Sequence, residues 1–134
     1  MAVERLFGPV DISVSGMRAH DKSMEVISSN IANARTIDAG QGQPYRRLQP
    51  ILRSENEGVS GVTVEDVVPD MSALQRIYDP GNPQADAQGY IVMPNVHLPV
   101  EMMSLNVASR AYQANAAILK RYQKMVETTL ELLR

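Results

Sequence analysis

The 134-residue chain carries 13 Lys and Arg against 15 Asp and Glu, for a formal net charge of -2, so it offers no broad basic surface to nucleic acid or anionic lipid. It has no Cys, which excludes disulfides, thiolate metal sites and Cys nucleophiles. Hydrophobic residues at 44% and charged residues at 21% place it among chains that fold, but one Phe, five Tyr and no Trp against eight Met favour adaptable helix-to-helix surfaces over a dense core.

The opening MAVERL lacks the apolar run of a secretory signal, and no stretch approaches the roughly 18 apolar residues of a membrane span. By these rules alone the chain reads as cytoplasmic. Residues 1–34 form a first helical segment. Phe7, Val10, Val14, Met17, Asp21, Met24, Ser28 and Ile31 are spaced alternately by three and four, the pattern of a coiled-coil seam. Gly8 as N-cap and Pro9 at the first helical position predict where this helix begins. Gly16 weakens its interior. Asn30 and Asn33 lie one turn apart near its end, where Asn accepts a left-handed cap and bonds orphan carbonyls.

Residues 35–97 hold most of the Gly and Pro together with β-favouring runs at Gly61–Val68, Ala73–Tyr78 and Tyr90–Met93. Asp79-Pro80-Gly81-Asn82-Pro83 is a dense turn signal. This segment is predicted to be one small β module of three or four strands.

In residues 98–134, Pro99 opens a helix that nothing interrupts, roughly 54 Å long at about 1.5 Å per residue. One apolar stripe runs through Val107, Ala111, Ala114, Ile118, Met125 and Leu132. A second, displaced around the helix, runs through Leu105, Ala108, Tyr112, Leu119, Tyr122, Val126 and Leu133. The clearly polar face carries Gln113, Lys120, Lys124, Glu127, Glu131 and Arg134, so the apolar arc is wider than one partner helix covers. The fold expected is mainly α, with long N- and C-terminal helices packed as a coiled-coil-like pair and a small β-rich middle. On pattern alone the stripes serve an intramolecular hairpin or an intermolecular interface equally well.

Chemical sites are poorly supported. His20 and His97 sit in no metal-ligand spacing. Asp79, Asn82 and Asp86 could be oxygen ligands for calcium, but they do not match an EF-hand loop, and Pro80 and Pro83 make a rigid turn the better reading. Gly40-Gln41-Gly42-Gln43-Pro44 lacks the third Gly of a phosphate-binding loop, and Pro44 removes a donor. No nucleophile elbow or P-loop is present. No catalytic, cofactor-binding or metal residue is assigned.

What separates the two readings of the stripes is Ser28-Ser29-Asn30-Ile31-Ala32-Asn33-Ala34, which resembles the N-terminal signature of flagellar rod and hook proteins. Gly42-Gln43-Pro44-Tyr45-Arg46 follows, then Tyr78-Asp79-Pro80-Gly81-Asn82-Pro83 with Ala85-Asp86 and Gly89-Tyr90. Together with Met93-Pro94-Asn95-Val96 and Ser109-Arg110-Ala111-Tyr112-Gln113-Ala114-Asn115, these strings are similar in order to proximal rod proteins of the FlgC type. The sequence departs from that pattern at His97 and Leu98 and in the variable stretch 38–42.

The resemblance implies a non-enzymatic structural subunit without cofactor, exported with no cleaved signal through the flagellar type III apparatus. It implies polymerisation into a hollow helical rod that transmits torque and crosses the periplasm. That moves the expected location from cytoplasm to basal body. The expected partners are other copies, other rod proteins and the junction of the MS ring and export gate at the rod base. The helices would then form the inner tube and the middle an outer layer. The assembly interface expected in the first helix is Val10, Val14, Met17, Met24, Ile27, Asn30, Ile31 and Asn33. In the second it is Val107, Ala111, Tyr112, Ala114, Ile118, Leu119, Tyr122, Met125, Val126, Leu130 and Leu133. A hook or distal-rod relative would have a longer middle segment, and a helical adaptor would leave the ordered strings unexplained.

Overall fold

A computed structural model describes residues 2–40, 42–55 and 61–133, with side chains of the first helix described from Gly8 onward. Phe7 of the seam, Gln41 of the glycine-rich turn and Arg134 of the polar face lie outside that description. Helix α1 spans Ala2–Ala32 and helix α2 spans Leu98–Leu132. Between them lie strands β1 (Leu48–Ser54), β2 (Val62–Pro69), β3 (Gln75–Tyr78) and β4 (Tyr90–Met93). Neither helix is long and apolar enough over its described residues to cross a membrane.

The first helix does not begin at Gly8 and Pro9 as the sequence predicted; it starts at Ala2 and runs through them. Ala2, Glu4, Arg5 and Leu6 are good helix formers ahead of the break, and a Pro this close to the N-terminus removes a single intrahelical bond. The other end departs too. No described non-Gly residue has positive φ, so neither Asn30 nor Asn33 is a left-handed cap. Asn33 instead closes the helix through two bonds to the Ser29 carbonyl, from its backbone N–H at 3.0 Å and its Nδ2 at 2.9 Å.

Helix α2 opens as Pro99 predicts. His97 is its extended N-cap, Pro99 falls in the first turn, and the N–H groups of Val100 and Glu101 both reach the His97 carbonyl at 3.0 Å.

The middle is the small β-rich segment expected, its four strands arranged as two antiparallel ribbons, β1 with β2 and β3 with β4. β1 is a strand the sequence reading missed, because Pro50 in its centre argues against a ladder. A two-stranded ribbon has only edges, where Pro is tolerated. The register runs from Leu48 opposite Pro69 to Ser54 opposite Val62 and slips between Ile51 and Leu52. β3 is exposed along its length, and Ile91 is the one buried residue of β4.

The helices pack antiparallel. Gly16 faces Asn115, and Asn30 meets Glu101 at the other end. A Cβ on Gly16 would sit 2.7 Å from Asn115 Nδ2, so the glycine that weakens α1 locally also permits close approach. Buried along the helices are Ala19, Val26, Ile27 and Ala108, joined by buried Ser13 and Ser23, whose hydroxyls bond the carbonyls of Pro9 and Ala19; Ala19 lies beside the first ribbon. The first ribbon lies along α1, stitched by the Val62 N–H to Ser15 Oγ at 3.1 Å. Among the described residues no strand lies against α2, and the second ribbon lies against neither helix.

Candidate assembly interface

Glu101 and Ala108 are the buried residues of α2, and Leu105, Asn115 and Leu119 fall on the same side of the helix with half-buried side chains. This is the second predicted stripe, and it is the one that meets α1. The first stripe, rotated from it by roughly 100° at 3.6 residues per turn, faces outward. There Val107 is 62% exposed, Ile118 49%, Met125 56% and Leu132 83%. Residues 104, 107, 111, 114, 118, 121, 125, 128 and 132 alternate by three and four, interrupted in apolarity by Ser104, Arg121 and Thr128. An exposed apolar seam with coiled-coil spacing marks an interaction surface. Covering what is still exposed of a side chain such as Ile118 or Met125, about half of each, contributes on the order of 1 kcal/mol.

The expected interface residues therefore divide. Ile27 and Asn30 are buried inside the chain; Val10, Val14, Met17, Met24, Ile31 and Asn33 on α1 are half-buried. On α2, Ala111, Leu119 and Tyr122 are half-buried, whereas Val107, Tyr112, Ala114, Ile118, Met125, Val126, Leu130 and Leu133 are exposed.

Where the helices converge, the interior is polar. Asn30 and Glu101 are both 0% exposed. Asn30 Oδ1 accepts the Leu48 N–H at 2.8 Å and the Tyr45 hydroxyl at 2.9 Å, while its Nδ2 donates to the Leu48 carbonyl at 2.9 Å and to Glu101 Oε2 at 3.2 Å. Glu101 Oε1 takes Arg47 Nε at 2.5 Å, so the buried carboxylate has a charged partner and a second donor, as burial demands. Arg47 also lies 3.6 Å from Asp70. The Ser72 N–H and hydroxyl, helped by the Gln49 amide and Arg47, hold the Asp70 carboxyl below its usual range against the opposing effect of desolvation.

Sequence reasoning found Asn30 but missed Arg47, Asp70, Asn95 and Glu101. A signal for Glu101 existed: it stands seven residues before Ala108 and four before Leu105, a lone carboxylate on the buried side of a helix.

The other candidate sites are turns. Asp86 Oδ1 accepts the N–H groups of Gln88 and Tyr90, both at 2.9 Å, and its Oδ2 pairs with Arg76 at 2.7 Å. The Tyr90 bond, with those of Gln88 and Arg76, keeps this carboxyl below its usual range although desolvation opposes it. Asn82 Oδ1 accepts the Gln84 N–H at 3.1 Å, and its Nδ2 reaches Asp79 at 3.4 Å. These groups are occupied in shaping the loop between β3 and β4. In the glycine-rich turn, Asp38 Oδ1 accepts the amides of Gly40 and Gly42 at 2.8 and 2.9 Å, so the donors a phosphate would need are already bonded. His97 serves as the backbone N-cap of α2, and His20 is half-buried on α1.

Two family models match the two helical segments. Residues 11–36, in α1 and the turn after it, match the family described as flagella basal body rod protein. Residues 87–132, from β4 through α2, match that described as flagellar basal body rod FlgEFG protein C-terminal. Similar proteins include the flagellar basal-body rod protein FlgC of Salmonella typhimurium, 38% identical over 135 residues that cover 98% of each chain. Those of Agrobacterium fabrum (38% identical, 92% of this chain and 91% of the relative) and Borreliella burgdorferi (32%, 96% and 98%) are similar as well. With such identity along nearly its whole length, the chain belongs to the FlgC family of flagellar basal-body rod proteins and is a structural subunit, not an enzyme.

Proposed function

We propose that the chain is a subunit of the proximal rod that polymerises into a hollow helical shaft, transmits torque and crosses the periplasm. Segments 1–34 and 98–134 form the inner tube with those of neighbouring subunits, and segment 35–97 forms the outer layer. The observation that carries this reading is the seam Val107–Ile118–Met125–Leu132, apolar, regularly spaced and covered by no described part of its own chain. A subunit in an open helical array has different neighbours on different sides. A helix with one stripe on its own partner and another facing outward suits that arrangement.

The subunit assembles with other rod components of the basal body. Its finer partners are further copies of itself and, at the rod base, the junction of the MS ring and export gate. Its route is the flagellar type III export apparatus.

Electron cryomicroscopy of intact basal bodies tests the reading. The expected result is an antiparallel helical pair in the proximal rod, with the seam of α2 against a neighbouring subunit. A seam facing solvent, or density for this chain only in the distal rod or hook, would overturn it.

A further inference from the structure

Three stretches of backbone meet at one point: the entry to β1 at Arg47, the link between the ribbons at residues 70–72, and the link from β4 to α2 at Asn95. The Asn95 side chain is buried and touches all of them. Its Oδ1 accepts the Arg47 N–H at 2.9 Å, and its Nδ2 donates to the Asp70 carbonyl at 3.0 Å and to Ser72 Oγ at 2.8 Å. Both amide hydrogens and a carbonyl lone pair are thereby engaged. The backbone adds an Asp70 N–H to Arg47 carbonyl bond at 2.7 Å. Arg46 Nη1 reaches the carbonyls of Asp70 and Ser72, each at 3.4 Å.

Residues 72 and 95 bracket the ribbon β3–β4, so one amide closes the root of that ribbon and ties it to β1. β1 is anchored in turn. At the next residue, Asn30 of α1 bonds both the N–H and the carbonyl of Leu48, as a neighbouring strand would. Among the described residues β3 and β4 lie against no helix; the direction in which they project depends on this junction and on the 37–44 loop, which shares a cleft with Gln84, Asp86, Tyr90 and Val92.

We propose that Asn95 is a positioning residue for assembly: its amide fixes the angle at which β3–β4 leaves the helical pair, and so presents the exposed Ile77 and Tyr78 to neighbouring subunits in one orientation. The angle is a property of the single chain; its consequence for assembly rests on the rod reading above.

The chain has no native Cys, so spin labels at Tyr78→Cys and Met103→Cys, both exposed positions, report the distance from ribbon to α2 in the full-length protein. The parent is expected to give one narrow distribution. Asn95→Ala is expected to broaden it about twofold at unchanged helical circular dichroism, because local opening of a weakly held unit leaves the remainder folded. Asn95→Asp, which keeps the acceptor for Arg47 but loses both donated bonds, should broaden it as well. Cells carrying either variant should form fewer rods. An unchanged distribution in both variants, or loss of helical signal in Asn95→Ala, would overturn the positioning role. Broadened distances with normal rods would overturn the link to assembly while leaving the rod reading intact.

Discussion

At the scale of single residues, two asparagines that look equivalent in sequence differ in what they hold. Asn30→Leu strands the Leu48 N–H and carbonyl and leaves buried Glu101 one donor short, at about 1–3 kcal/mol for each unsatisfied group. Asn33→Leu removes an amide bond to the Ser29 carbonyl, which the Asn33 N–H still reaches, and the acceptor of the Thr36 hydroxyl; neither Asn33 nor Thr36 is fully buried, so the expected cost is about 1 kcal/mol. Urea denaturation of the two variants should therefore separate them clearly, and equal midpoints would contradict this assignment. A second residue-scale expectation concerns acid. Asp70 and Asp86 are more acidic in the folded chain than their ordinary value of 3.8, so the unfolded chain binds protons more readily. The stability they add is complete above that value and fades as pH falls through and below it. Asp86→Asn should make stability less sensitive to pH over that acid range, because its amide oxygen still accepts the loop N–H groups but no longer titrates. Parallel acid profiles for parent and variant would count against it. The sequence made Asn30 visible through its motif and placed Asn95 in another without a role, whereas Arg47, Asp70 and the Asn95–Glu101 stretch lie more than twenty residues apart in succession and become one cluster only when the helices and links converge.

At the scale of elements, the apolar arc of α2 was legible and its division was not. Periodicity gives the angular width of an apolar surface, but which part meets α1 depends on contacts such as Gly16 with Asn115 and Asn30 with Glu101. The division separates two kinds of variant. Ile118→Asp and Met125→Asp change exposed side chains, so the purified chain should keep its helical content while rods fail to form, a charge in the assembled seam having no partner. Leu119→Asp lies on the side facing α1 and should lower helical content before assembly is reached. Lys120→Ala, on the polar face, should leave both unchanged, since exposed charges contribute under about 1 kcal/mol. Counting basal bodies by electron microscopy beside circular dichroism of each variant checks the contrast; normal rods in Ile118→Asp would refute it. β2, β3, β4 and the tail helix were readable from local chemistry. β1 was hidden by Pro50, and the start of α1 by a Gly-Pro pair that also marks helix openings.

At the scale of the whole molecule, burial along α2 is concentrated at one end, while α1 is buried at intervals from Ser13 to Asn30. Asn30, Glu101, Asn95, Val26, Ile27 and Ala108 lie near the junction of helices and ribbons, while α2 beyond Ala108 contains no buried residue through position 133. Amide exchange in the full-length free chain should follow that gradient. Residues 23–34 and 98–108 should be more protected than 109–132, because local opening is easiest where few contacts are lost. Assembly should then protect the distal half. Uniform protection along α2 in the monomer would instead indicate a self-sufficient hairpin. The two-ribbon architecture also exposes the chain to a hazard. With four strands divided into pairs, the described residues contain no interior strand, and each strand has an outer edge of backbone donors and acceptors that side chains cover only at points such as Leu48 and Val62. Unassembled copies would stick to one another edge to edge unless those rows were spoiled. They are spoiled in several ways: Pro50 interrupts β1 and the register slips just after it, Arg53 and Glu65 place charge along the first ribbon, and β3 and β4 stop after four residues each. The proline that concealed β1 from the sequence reading thus helps keep the free subunit from stacking into fibres.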